Sequence, residues 1–400
     1  MAKKKKKKKN KKLKQGFLLF GVIILFIALF TIGIIVFRQY KEQKRLAEEA
    51  ANMKPVEMVT ESNDFIDDGP PEDWLKKFEE PEVADEGPKD TMILFAGDVL
   101  FDYGMPQHYD ESGIAGVVGE NLLTLMNEAD ITVVNEEFPF GTAGVQADKQ
   151  YTFRCNPKYA VALNEMGVDV VSLANNHALD YGTDCLLQTF ATLEQIGVKF
   201  AGAGPTLERA KEPQIIEANG KKIAIVAGSR VVPTASWGAS ADKPGMLLCY
   251  ETAQICESIA KAKEDADYVF VYVHWGTEKV DFPESYEKTM AAKFAEAGAD
   301  AVIGSHPHVL QGMEEVAGIP VFYSLGNYIF NVSIDKTMAV TCNISPEGLI
   351  TWKIIPCQAK NGVTDVALGD KANEIYKHVQ SLSTNVIVND QGEISWIRDN

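Results

Sequence analysis

The stretch VDVVSLANNHALDYG, Val168–Gly182, sets an apolar run directly against a polar turn. Val168 to Leu173 reads as a buried strand. Ala174-Asn175-Asn176-His177 follows at once, with Asp180 and Gly182 close behind. An amide, an imidazole and a carboxylate thus gather just past the C-terminal end of an apolar strand. Open α/β sheets place their ligands at that edge, because loops converge there on rigid strands.

Working outward, the same pattern recurs. Met92–Ala96 is an apolar strand ending in Gly97-Asp98, and Ile131–Val134 ends in Asn135-Glu136-Glu137. Tyr268–Val273 leads into His274-Trp275-Gly276, and Ala301–Ile303 into Gly304-Ser305-His306-Pro307-His308. Segments of helical spacing lie between them: Gly119–Ala129, Pro157–Met166, Thr183–Ile196, Ile255–Asp265 and Tyr286–Ala297. Hairpins are predicted around Asn219-Gly220 and between Thr337–Ile344 and Leu349–Pro356, with a terminal helix Leu368–Leu382 and a small polar segment after it. Strands alternating with helices, joined by hairpins, predict an α/β layered domain with mixed sheets.

A single His or Asp after a strand is ordinarily a turn residue. Here five strands are each followed by a potential metal ligand, and four of the six histidines occupy these positions. Asp98, Glu137, Asn176, His274, His306 and His308 are therefore the candidate metal ligands, with His177 as a candidate catalytic group. In His306-Pro307-His308, two imidazoles in a proline-restricted loop are spaced to face adjacent ions. Carboxylate, imidazole and amide together suit Mn, Zn or Fe better than the all-oxygen shells of Ca and Mg. A pair of such ions about 4 Å apart lowers the pKa of a bridging water and clamps an in-line displacement. A bridging ligand must be a carboxylate, and Glu137 is the best placed. Asp180 is read either as the acceptor that orients an imidazole or as the N-cap of the following helix. Arg154 either grips an anionic substrate bidentately or makes a surface ion pair. Asn327 is a cleft-lining candidate, Trp275 a cleft wall or core residue, and Ser229–Leu248 a lid or irregular surface.

Charge is unevenly distributed along the 400 residues. Residues 1–45 hold fourteen Lys/Arg against Glu42 alone, and the whole-chain charge of −17 leaves −30 for residues 46–400. So acidic a body repels nucleic acid, which excludes polyanion binding by its general surface. Gly16–Phe37 is 22 residues without a charge, about 33 Å as a helix and enough to cross a core of roughly 30 Å. Ten lysines precede it and four basic residues follow within 38–45, so the positive-inside rule predicts a cytoplasmic segment 1–15, a single span and an extracytoplasmic body. A cleaved signal peptide is the rival reading. Residues 38–90 are charged, acidic and proline-containing, and read as a spacer. Six cysteines without metal spacing suit an oxidising exterior; Cys342 with Cys357, and Cys155 with Cys185, are possible pairs, and free buried thiols are the alternative.

Taken in order, FAGDVLF, VVNEEFPF, YTFRCNP, VVSLANNHALDYG, VHWGTE, IGSHPHVLQG and YSLGNYIF resemble the CapA (poly-γ-glutamate capsule biosynthesis) family, a branch of the calcineurin-like metallophosphoesterase superfamily. The resemblance spans roughly residues 91–360, with 361–400 left as a C-terminal helix and tail. It implies a four-layer α/β/β/α metallophosphatase-like sandwich with one or two divalent ions. It makes Asp98 the opening ligand, Glu137 the bridging one, Asn176 and His177 the Asn-His pair, His274 the isolated ligand, and His306 and His308 the closing pair. Leu100 departs from it, since superfamily phosphatases usually carry a His there. If a single ion binds, the expectation is that it lies beside Asn176. The implied role is metal-dependent hydrolysis or transfer on an anionic cell-surface polymer such as poly-γ-glutamate, or on its precursor. The alternative is a non-catalytic polymer-binding or export subunit, with membrane synthase subunits as partners.

Overall fold

A computed structural model describes residues 89–398 of the chain. The polylysine segment, the apolar span Gly16–Phe37 and the spacer up to residue 88 lie outside the described residues. Within them no helix is long and apolar enough to cross a membrane.

The first half of the chain runs β1 (Thr91–Val99), α1 (Met105–Ser112), α2 (Glu120–Glu128), β2 (Ile131–Glu136), α3 (Val161–Glu165), β3 (Val170–Ser172), α4 (Gly182–Ile196), β4 (Lys199–Ala201), β5 (Ala203–Gly204), α5 (Leu207–Lys211), β6 (Gln214–Ala218) and β7 (Lys221–Ser229). The second runs β8 (Gly245–Met246), α6 (Ala253–Asp265), β9 (Tyr268–His274), α7 (Ser285–Ala297), β10 (Ala301–Ser305), β11 (Met313–Val316), β12 (Ile319–Phe322), β13 (Asn327–Ile329), β14 (Ile334–Ile344), β15 (Ile350–Lys360), β16 (Val363–Val366), α8 (Asp370–Leu382), β17 (Val386–Val388) and β18 (Ile394–Trp396).

Two mixed sheets result, as the alternation of elements predicted. The larger has the order β16-β15-β14-β1-β2-β3-β4, with β13 also paired to β1. Its β1, β2, β3 and β4 run parallel, while β14, β15 and β16 are antiparallel. The second has the order β11-β12-β10-β9-β7-β6, parallel from β12 to β7 and antiparallel at both edges.

Strand β1 shows why the sequence reads as an unbroken apolar run. Ile93 and Phe95 join a core shared with Ile225, Phe270 and Ile303 of the second sheet. Leu94 and Ala96 instead join a core with Leu122 of α2 and Leu186 and Phe190 of α4. Both faces of the strand are buried, so no polar alternation appears. On the far face of the second sheet, Val226, Val271 and Val302 pack against Ile255 and Ile259 of α6 and Phe294 of α7. Helices therefore cover the outer faces and the two sheets bury their inner faces against each other.

Several expectations need correction. The segment Val168–Leu173 forms only a three-residue strand, and Pro157–Met166 splits into a 3-10 turn and the short α3. The segment after α8 is not merely polar: β17 and β18 pair, and Val386 is buried. All six cysteines are free thiols, and Cys342 stands opposite Trp352 rather than Cys357.

Candidate metal centre

Register brings the polar strand ends onto two rungs. In the larger sheet Asp98 stands opposite Asn135 on one side and Asn327 on the other. In the second, His274 lies between Ser229 and Ser305. Close backbone approach is needed for this: a Cβ on Gly97 would lie 2.0 Å from the Gly326 carbonyl oxygen, to which Asp98 N–H donates at 3.0 Å. Beyond Ser305 the chain turns through His306 (φ 99°) and His308 (φ 58°). A side chain in the left-handed region costs about 1–3 kcal/mol, a strain typical of functional turns.

Asp98, Glu137 and His274 are wholly buried, and His306 is 4% exposed. Ligand atoms of Glu137, His274 and His306 lie within 4.8 Å of one another, as do those of Asp98, Glu137 and His308. Glu137 belongs to both groups. His274 Nε2 lies 2.7 Å from Asn176 Oδ1 and its Nδ1 lies 3.0 Å from the Ser305 hydroxyl, so Asn176 joins the first group. In the second, His308 Nδ1–H donates to Asn327 Oδ1 at 2.7 Å and lies 3.4 Å from Asp98 Oδ2.

These residues fit a cation. Both Glu137 oxygens and His306 Nδ1 are buried without a hydrogen-bond partner. Such orphaned groups are costly unless a ligand satisfies them. Burial pushes the His274 imidazole well below its usual range and His306 down to about 4, so both present neutral lone pairs. Burial, then the Asp98 charge, raises the Glu137 carboxyl well above the carboxylate range. Burial alone would lower His308 too, but Glu137 and Asp98 outweigh it and hold this imidazole up at about 9. Asp98 and Glu137 thus both bear on His308, and a metal ion placed there would meet the same two acidic groups.

Beside this cluster, His177 Nδ1 lies 2.6 Å from Asp180 Oδ2. Lys149 Nζ is 2.5 Å from Asp180 Oδ1, donates to the Asn176 carbonyl at 2.5 Å, and lies 3.1 Å from His177 Nδ1. An ammonium only donates and a carboxylate only accepts, so Nδ1 cannot serve both. The shorter contact assigns its proton toward Asp180, leaving Nε2 with a free lone pair. Phe153 stacks on the His177 ring at 4.1 Å, and its N–H donates to Asp180 Oδ2 at 2.7 Å. Asp180 thus serves as the orienting acceptor; the residue at the N-cap of α4 is Tyr181.

Of the sequence-derived candidates, Asp98, Glu137, Asn176, His274, His306 and His308 come together, with His177 and Asp180 adjoining. Arg154 does not join them. Its guanidinium lies 4.0 Å over the Tyr181 ring and donates to the Thr142 and Ala143 carbonyls, in neither a surface ion pair nor the cluster. Leu100 is 4% exposed and packs into the helix-side core. Trp275 is a core residue donating to the Tyr323 carbonyl. The loop 229–248 touches the site through Trp237, whose ring lies 5.2 Å from Lys149 Nζ. Sequence reasoning assigned no role to Lys149, to Glu278, or to the chain Asn175→Asn135→Asp98, whose amide bonds measure 3.1 and 2.9 Å. The asparagines sit inside the quoted motifs, whereas nothing local marks Lys149.

Comparison with known proteins places these residues in context. The profile of the bacterial capsule synthesis protein family PGA_cap matches residues 92–332, which contain every member of the cluster. The chain is 30% identical over 267 residues to the PGA biosynthesis protein CapA of Bacillus subtilis (strain 168), covering 66% of this chain and 70% of that protein. It is also 30% identical over 302 residues to the capsule biosynthesis protein CapA of Bacillus anthracis, covering 72% of each.

Proposed function

Because the chain belongs to the bacterial capsule synthesis protein family PGA_cap, we propose that it serves capsule polymer biosynthesis as a metallophosphoesterase-type hydrolase or transferase. Its substrate is a cell-surface polymer such as poly-γ-glutamate, or a precursor of one. The observation that carries this reading is the buried, hydrogen-bond-orphaned Glu137 carboxylate, shared by two groups of potential ligands. Two sheets buried between helical layers fit a four-layer metallophosphatase-like sandwich.

Asp98, Glu137, Asn176, His274, His306 and His308 would hold one or two divalent ions of the Mn, Zn or Fe type. When bound, such ions supply Lewis-acid polarisation and a nucleophilic water at neutral pH. The remaining work falls to the protein. The Asn175→Asn135→Asp98 chain and the Ser305 hydroxyl fix ligand orientation. His177 Nε2, kept bare by the Nδ1–H to Asp180 arrangement, can accept a proton or return one to a leaving group. Phe153 prevents the ring from rotating away.

The uncharged Gly16–Phe37 stretch anchors the protein in this reading, with residues 1–15 cytoplasmic and the catalytic body outside. Membrane synthase subunits are then its natural neighbours. The test is turnover of a chromogenic phosphodiester and of γ-glutamyl polymer by the full chain, alongside cellular polymer output. Loss of both with His306→Ala/His308→Ala supports the catalytic reading. Unchanged polymer output from that variant points instead to a non-catalytic polymer-binding or export subunit.

A further inference from the structure

The loop between β9 and α7 carries one acidic residue that the cluster so far described does not use. Glu278 is exposed, yet its carboxylate oxygen and ligand nitrogens of His306 and His308 lie within 4.8 Å of one another. Among the described residues, nothing forms a hydrogen bond or an ion pair with it. Its neighbours hold it there. Thr277 Oγ1 donates to Glu284, and Lys279 N–H donates to the Pro307 carbonyl at 2.9 Å, the residue between the two histidines. Gly276 lets the loop come this close: its φ is +87°, and a Cβ there would lie 3.1 Å from Pro307 Cγ. The loop is therefore docked on the His-Pro-His turn, and one free carboxylate is left over it.

The ligand inventory gives that carboxylate a purpose. The Asp98, Glu137 and His308 group has three side chains, and position 100, where an imidazole would add a fourth, holds a leucine packed in the core. Resting on the metal-centre reading above, we propose that Glu278 is the ligand that completes the second cation position, approaching His308 from the solvent side. His306 shares a ligand group with Glu278 and His308, and its buried Nδ1, left without a hydrogen-bond partner, is the independent sign that a cation belongs beside Glu278. Three carboxylates (Asp98, Glu137 and Glu278) against two divalent ions leave one net positive charge, which suits an anionic substrate. Since Glu278 alone is exposed, the second ion is the exchangeable one.

The experiment is calorimetric titration of the metal-stripped full chain with Mn²⁺, comparing wild type with Glu278→Gln and Glu278→Asp. The expected result is two sites in wild type, with Glu278→Gln leaving the first unchanged and weakening the second at least about 10-fold. Glu278→Asp should recover part of that loss. Because the residue is exposed, thermal stability in chelator should match wild type in both variants. One site in wild type, or two unaltered sites in Glu278→Gln, overturns the proposal while leaving the first metal position standing. A wild type that binds no Mn²⁺ overturns the metal-centre reading itself, and with it this one.

Discussion

Lys149 and Asp180 meet at 2.5 Å beside His177, on the carboxylate oxygen opposite the one that contacts the imidazole. Lys149 thereby fixes both the Asp180 side chain and, through its bond to the Asn176 carbonyl, the turn that carries the catalytic candidates. Replacing Asp180 with Asn puts an amide donor or a weaker acceptor against Nδ1 and removes the charge that selects its tautomer. Turnover of a chromogenic phosphodiester should fall about 100-fold or more, the usual scale of general acid–base catalysis. Lys149→Met should lower kcat with little change in KM. Elemental analysis of both variants should show wild-type metal content, since neither residue is a ligand.

Glu137 presents a separable prediction. Its two oxygens lack partners when no ion is bound, and burial holds the carboxyl well above the usual range. In chelator, Glu137→Gln should therefore equal or exceed wild type in thermal midpoint, because it removes a desolvated acid. Adding Mn²⁺ should stabilise wild type by about 2.7 kcal/mol at a hundredfold excess over Kd and leave the variant unmoved. Scanning calorimetry with and without the ion reads both effects.

Glu136, next in the chain, is buried with neither oxygen hydrogen-bonded, and burial is the sole cause of its raised pKa. Unlike Glu137 it belongs to no ligand group. Glu136→Met keeps the shape and removes the unsatisfied acid, so the denaturation midpoint should rise by an amount equivalent to about 1–3 kcal/mol. Metal content should not change.

Glu287 supplies a pH dependence away from the metal ligands. Its Oε1 accepts from Glu284 N–H at 2.8 Å and Oε2 has no partner. Burial, with Glu284 adding to it, pushes the carboxyl up to about 7 against 4.5; Tyr286 and Tyr323 are its other titratable neighbours. Because the folded value lies above the unfolded one, the folded state binds the extra proton between these pH values. Its contribution is complete below about pH 4.5 and lost as pH rises through 7, by at most about 3 kcal/mol. Glu287→Gln should flatten that part of a urea-denaturation pH profile.

The sequence made the ligands legible for a physical reason. Each lies at the end of a strand buried on both faces, so a short apolar run is interrupted abruptly by Asp, Glu or His. Where burial was less complete the reading failed. Helix α1, MPQHYDES, buries Met105 alone and carries no apolar stripe. The β17–β18 pair is short and half-exposed. Lys149 was invisible because its role depends on a contact with a residue 28 positions away, made by a loop without periodicity. Arg154 was misplaced because a basic residue near a motif says nothing about which way its guanidinium turns. Glu278 lay in a quoted motif, but only the folded loop shows that it overhangs His306 and His308.

Everything proposed for the site depends on Glu137, His306 and their neighbours holding a divalent ion. Elemental analysis of the full chain, purified in detergent without chelator, beside His306→Ala/His308→Ala tests it most directly. Wild type should carry at least one equivalent of Mn, Zn or Fe and the double variant none. A wild type that stays metal-free after incubation with these ions, or a double variant that keeps its metal, contradicts it.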